Sequence, residues 1–173
     1  MSCTLPLPYD EIKKQLTPKD RIGILFCGAG PMFCGYGGIP GARRLAEMLR
    51  KDGFNVIYYT ACGMLCNKSL VKQVARNPVW REVDTIISSG CISGYINVKE
   101  VFAGKKIVKA FYGSTLGCAL IEDMFAGKIL IKLVNPEDLE KLGIKDIPKE
   151  GIYFDKVAEI YTKKIKASKY PPW

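Results

Sequence analysis

The chain contains no histidine. That absence removes Ser-His-Asp and Cys-His nucleophile arrangements, and it leaves any transition-metal site to be built mainly from thiolate. Proton transfer would fall to Asp, Glu, Lys, Tyr and Cys alone. Long apolar runs are also missing: none approaches the roughly 20 residues that span a bilayer, so no membrane insertion is expected. Acidic residues are scarce relative to basic ones, 17 against 26, which gives a formal charge of +9. The lysines are spread along the chain instead of forming a patch interleaved with stacking aromatics, so no nucleic-acid partner is expected. A solvated surface, an acidic partner or counter-charge around an anionic cofactor accounts for them better.

Cysteine is abundant by contrast. There are seven, an odd number, and the opening Met1–Asp10 is short and proline-broken instead of an apolar leader. A disulfide scaffold is therefore not expected, and the expected compartment is the reducing cytoplasm. The 173 residues have the length of one domain able to bury a core without staples. There are no internal repeats, low-complexity tracts or linkers. Residues 1–20 read as an N-terminal arm with a short helix over Asp10–Leu16. Residues 21–134 read as the cysteine-bearing core, and 135–173 as a C-terminal helical segment packed on or beside it.

Within the core the pattern repeats. Arg21–Phe26 is an apolar run bounded by turn formers and predicts a buried strand, delivering Cys27 into a glycine-rich turn before a helix over Ile39–Lys51. Phe54–Tyr59, rich in aromatic and β-branched residues, predicts a second strand that enters Thr60–Asn67 with Cys62 and Cys66. A weaker helix over Ser69–Arg76 ends before Pro78. Val83–Ser88 leads into Ser89–Gly94 with Cys91, and Lys106–Phe111 leads into Tyr112–Cys118. Gly127–Val134 predicts a further strand, Asn135–Leu142 a short helix, and Val157–Ile165 a last helix with a narrow apolar stripe. Strands alternating with helices specify an α/β fold: a single Rossmann-like or flavodoxin-like domain, with a mostly parallel sheet and helices on both faces. In that fold the loops after the strands share one edge, so Cys27, Cys34, Cys62, Cys66, Cys91 and Cys118 are expected to gather there.

Free cysteines are often simply small buried hydrophobes, and that reading stands beside a ligating one for each of them. A phosphate-cradling reading of Gly28, Gly30, Gly35, Gly37 and Gly38 is available in principle. The dinucleotide spacing fails, with Phe33 where a third glycine belongs, and no acidic residue ends the second strand to hold a ribose. Thiolates suit zinc or an iron–sulfur cluster. Closed zinc sites favour close cysteine pairs, and only Cys62 and Cys66 supply one. A [4Fe–4S] cluster accepts four thiolates from separate loops and benefits from hydrogen bonds to its sulfurs, which the glycine-rich turns (Gly28, Gly35, Gly37, Gly38, Gly90) could donate.

The landmarks Cys27–Gly28, Cys34, Gly37–Gly38, Cys66, Ser88–Ser89–Gly90–Cys91 and Ala110–Phe111–Tyr112–Gly113 together resemble the small cysteine-rich partner of methylenetetrahydrofolate reductase in anaerobes. The likeness covers Arg21 to Cys118. It implies an iron–sulfur or zinc protein that delivers electrons to a larger, flavin-containing oxidoreductase in one-carbon metabolism. Carried over position by position, it makes Cys27, Cys34, Cys66 and Cys91 the preferred ligands. Gly30 stands where the family motif has its middle cysteine, so Cys62 and Cys118 are held in reserve. The expected function is a metal-binding electron-transfer subunit with no catalytic residues of its own. The alternatives are a nucleotide- or flavin-binding module with inert cysteines, and a structural zinc-bearing interaction subunit.

Overall fold

A computed structural model describes residues 2–33, 36–112, 117–123, 128–133, 152–153 and 156. Its centre is a parallel sheet of four strands: β2 (Ile22–Cys27), β3 (Val56–Cys62), β4 (Thr85–Ser89) and β5 (Lys106–Lys109). Their order across the sheet is β3-β2-β4-β5. Between them run α3 (Gly38–Lys51), α4 (Lys68–Ala75) with a 3-10 turn over Pro78–Arg81, and α5 (Ile92–Val101). This is the α/β, Rossmann- or flavodoxin-like arrangement that the alternation of elements specifies. The chain leaves β2 for β3 on one side and returns to pair β4 on the other. The switch in strand order therefore falls between β2 and β4, where such sheets open a crevice beyond the strand ends.

Side-chain alternation along β2 explains the two helical layers. Ile22, Ile24 and Phe26 join one buried cluster with Ala42, Leu45, Ala46 and Leu49 of α3. Leu25 and Cys27 join another with Val71 of α4, Trp80 and Val98 of α5. All six residues of β2 are buried, as expected for a central strand covered on both faces. Each Leu or Ile so buried contributes on the order of 1.5–3 kcal/mol. Trp80 anchors the second layer: its ring packs edge-on to Tyr58 and tilted against Phe102, and its indole N–H donates to the Val74 carbonyl at 3.0 Å.

Residues 1–20 contribute more to the core than an arm would. Leu5, Tyr9, Ile12 and Leu16 are buried, and the short helix is α1 (Tyr9–Lys13). The Tyr9 hydroxyl donates to the Asp52 carboxylate at 3.0 Å, tying α1 to the end of α3. A second, antiparallel sheet consists of β1 (Ser2–Cys3), β6 (Gly117–Asp123), β7 (Lys128–Leu133) and β8 (Ile152–Tyr153), in the order β1-β6-β7-β8. The expected strand over Gly127–Val134 is β7. Cys118, expected in a loop, lies in β6 with Ser2 as its register partner. The expected helices over 135–142 and 157–165 lie outside the described residues. No helix among the described residues is long and apolar enough to cross a membrane.

Candidate metal centre

Each strand that borders the switch point hands its chain to a turn carrying a thiol. β2 ends on Cys27, which is buried. Immediately after it, the Gly28 N–H donates to the Cys62 carbonyl at 2.7 Å, holding the turn against the end of β3. A single short helical turn, α2 (Gly30–Phe33), follows. The chain then closes on itself where the Tyr36 and Gly37 N–H groups both donate to the Pro31 carbonyl, at 3.1 and 2.8 Å. The helix α3 starts at Gly38 with φ of +62°, a left-handed conformation costly for any residue with a Cβ. A Cβ there would also stand 2.9 Å from Met32 Cγ.

Two contacts fix the loop after β3. Gly94, in the first turn of α5, lets that helix approach so closely that a Cβ would lie 2.7 Å from Leu65 Cβ and 3.5 Å from the Cys66 nitrogen. Asn97, one turn further on, donates through Nδ2 to the Leu65 carbonyl at 2.9 Å. Just beyond, Asn67 caps α4 by accepting from the Ser69 and Leu70 N–H groups. Cys66 is thus held between a fixed loop and a helix start. Cys91 is the N-cap of α5 and spends no side-chain hydrogen bond on that role. Gly90 before it stands close enough to β2 that its Cβ would be 3.4 Å from Cys27 Cβ.

The outcome is a cavity of about 220 Å³ lined by Cys27, Ala29, Gly30, Pro31, Met64, Cys66 and Cys91. Three of the expected ligands, from three separate turns, meet on its walls. Cys62 is the register partner of Cys27 across β2 and β3, but its thiol turns into the core and donates to the Met64 carbonyl at 3.6 Å. Cys34 and Gly35 lie outside the described residues, and of Cys118 only the backbone position is described. Met64, Pro31 and Ala29 are walls that no spacing rule identifies, because apolar lining leaves no motif.

Burial disfavours charge on the Cys27 and Cys62 sulfurs. Burial pushes the Cys27 thiol above its ordinary value; the Leu65 and Ala29 N–H groups oppose this, while negative charge on Cys91 or Cys66 would push it further. Burial raises Cys62 as well, against the Met64 backbone and with Cys27 and Cys66 adding to the shift. A metal that bound the cavity thiols would have to displace their protons, so its binding would depend on pH. Exposed Cys66 and half-buried Cys91 mark the open side by which such a group would enter.

Among the described residues no three Cys, Asp or Glu side chains are grouped tightly enough to hold one metal ion, as a zinc site with every sulfur about 2.3 Å from a single point requires. The three thiols line one cavity instead, and thiolate is the donor that an iron–sulfur cluster takes. A phosphate is poorly served: among the described residues no Lys, Arg, Ser or Thr lines the cavity, and Pro31 offers no N–H. The chain matches no family model, no curated protein and no solved structure.

Proposed function

We propose that this protein carries a thiolate-held [4Fe–4S] cluster at the carboxyl edge of its parallel sheet and serves as an electron-transferring subunit of a larger oxidoreductase. The observation that carries the reading is the convergence of Cys27, Cys66 and Cys91 on one cavity at the switch point. Cys34 is the proposed fourth ligand. When bound, such a cluster supplies one-electron chemistry. Cys27, Cys66 and Cys91 would hold it, with Ala29, Pro31 and Met64 as apolar walls.

The exposed rim supports a docking partner. Met32, Met64, Ile92 and, one turn along α5, Ile96 are large apolar side chains between 43% and 49% exposed. They stand beside or one turn from the cavity walls, with Ile39 at the start of α3 also exposed. Apolar side chains ringing a redox centre suit the core of an interface. The resemblance carried by the cysteine and glycine landmarks makes a flavin-containing methylenetetrahydrofolate reductase the first partner to test.

Anaerobically purified chain should show a broad brown absorption with iron and sulfide in equal amounts, and Cys91→Ser should lose or convert it while circular dichroism stays native. A colourless wild type containing zinc alone favours the structural zinc reading. A flavin spectrum favours the nucleotide pocket, and full iron in the Cys91→Ser variant removes Cys91 from the ligand set.

A further inference from the structure

The segment before α1 reaches across the site from behind. Residues 5–7 run antiparallel to residues 110–112, with the Tyr112 N–H donating to the Leu5 carbonyl at 2.9 Å and the Leu7 N–H to the Ala110 carbonyl at 3.0 Å. Those backbone bonds place Thr4, which is buried, under the two cysteine-bearing turns. Its Oγ1 donates to the Gly90 carbonyl at 2.8 Å, directly before Cys91. The same oxygen lies 2.7 Å from the Tyr36 hydroxyl, and that hydroxyl donates to the Thr4 carbonyl. Tyr36 is fully buried and sits in the turn that runs from Cys27 to α3.

The Thr4 proton goes to the Gly90 carbonyl and the Tyr36 proton to the Thr4 carbonyl, so losing either hydroxyl breaks one of the two bonds that join the turns. Backbone pairing supplies no such link, because β2 and β4 pair only as far as Phe26 and Ser89, and both turns begin beyond that limit. We infer that Thr4 and Tyr36 are positioning residues, a strap from the N-terminal segment that sets the distance between the Cys91 turn and the Cys27 turn and hence the shape of the metal cavity. The inference rests on the metal-centre reading for its purpose, but the strap itself is a property of the metal-free chain.

Thr4→Val keeps the shape of the side chain and removes its hydroxyl, Thr4→Ser keeps the hydroxyl, and Tyr36→Phe removes the other partner. The backbone bonds of residues 5–7 are untouched in all three, so the chains should fold. In iron-loaded protein, Thr4→Val and Tyr36→Phe should shift the electron paramagnetic resonance g-values of the reduced centre. Iron loss to a chelator should quicken roughly three- to tenfold, the scale of one or two buried hydrogen bonds. Thr4→Ser should restore wild-type behaviour. In metal-free protein, alkylation of Cys91 should accelerate by a similar factor in Thr4→Val and return to normal in Thr4→Ser. A lowered unfolding midpoint with unchanged g-values, chelator rates and Cys91 alkylation would reduce the strap to ordinary packing and overturn the inference. If wild-type protein takes up no iron, the metal reading falls, and the Cys91 alkylation series alone decides the strap: acceleration with rescue upholds it, and no change overturns it.

Discussion

Gly94→Ala tests how tightly the Cys66 loop is held. The added methyl would start 2.7 Å from Leu65 Cβ, roughly 1 Å short of the ~3.5–4.0 Å at which carbon atoms rest, and 3.3 Å from the Leu65 carbonyl carbon, a smaller shortfall. Neither contact is the far end of a flexible side chain, so the loop or α5 itself must move. Two effects oppose each other. Alanine gains at most about 1 kcal/mol of helix propensity over glycine, and overpacking a fitted contact costs about 1–3 kcal/mol. The net expectation is a loss of about 1 kcal/mol in urea unfolding of the metal-free chain. The larger effect is geometric: the same displacement carries Cys66 away from Cys27 and Cys91 and stretches the 2.9 Å Asn97–Leu65 hydrogen bond, so iron content should fall further than stability does. Ser93→Ala, an exposed neighbour in the same helical turn, is the control for propensity. A Gly94→Ala chain stabilised by the full propensity gain, with native iron content, would show that the contact yields freely and would refute this account of the loop.

Trp80→Ala should cost about 3–5 kcal/mol, the range for emptying a large aromatic site, because it removes the ring packed by Tyr58 and Phe102; chemical denaturation followed by circular dichroism measures it. Ser88→Ala should be neutral or stabilising by up to about 1 kcal/mol, since the Ser88 hydroxyl is buried with no hydrogen-bond partner and removing an unpaired buried polar group relieves its desolvation; a clear loss in the same assay would show that the hydroxyl is bonded in solution. The metal-free chain should lose stability as pH rises past about 9, because burial holds the Cys27 and Cys62 thiols above that ordinary value and the unfolded chain therefore releases its protons first. Below that pH their contribution is fully present, and a urea midpoint that rises with alkalinity would contradict it.

The central strands β2 and β4 were legible because buried central strands are continuous apolar runs, and the edge strands β3 and β5 because short runs rich in β-branched and aromatic residues are bounded by turn formers. Arg21–Phe26, Phe54–Tyr59, Val83–Ser88 and Lys106–Phe111 correspond to β2 through β5 within one to three residues at each end. The helix α5 was hidden: Ser93 and Gly94 read as turn formers, and Ile92 and Ile96 are exposed, so no clear apolar stripe marks it. β1 was hidden for a different reason, since a two-residue strand has no period to detect and exists only through its pairing with β6. Of the site, the clustering of Cys27, Cys66 and Cys91 was legible from topology alone. Cys62 was not separable from them, because strand alternation assigns it to the face of Cys27, while its inward turn depends on the Met64 carbonyl.

The order β3-β2-β4-β5 also fixes when the cavity can exist during folding. Cys27, Cys62 and Cys66 belong to one strand–helix–strand unit, but Cys91 reaches them only after Ile22 has paired with Thr85, a closure over a long stretch of chain whose entropy is lost before its contacts form. On the proposed reading a cluster would gain its Cys91 ligand only with that long-range pairing. On that reading it would be inserted late, into an already folded chain, and the refolding rate should be the same whether iron and sulfide are present from the start or added at the end.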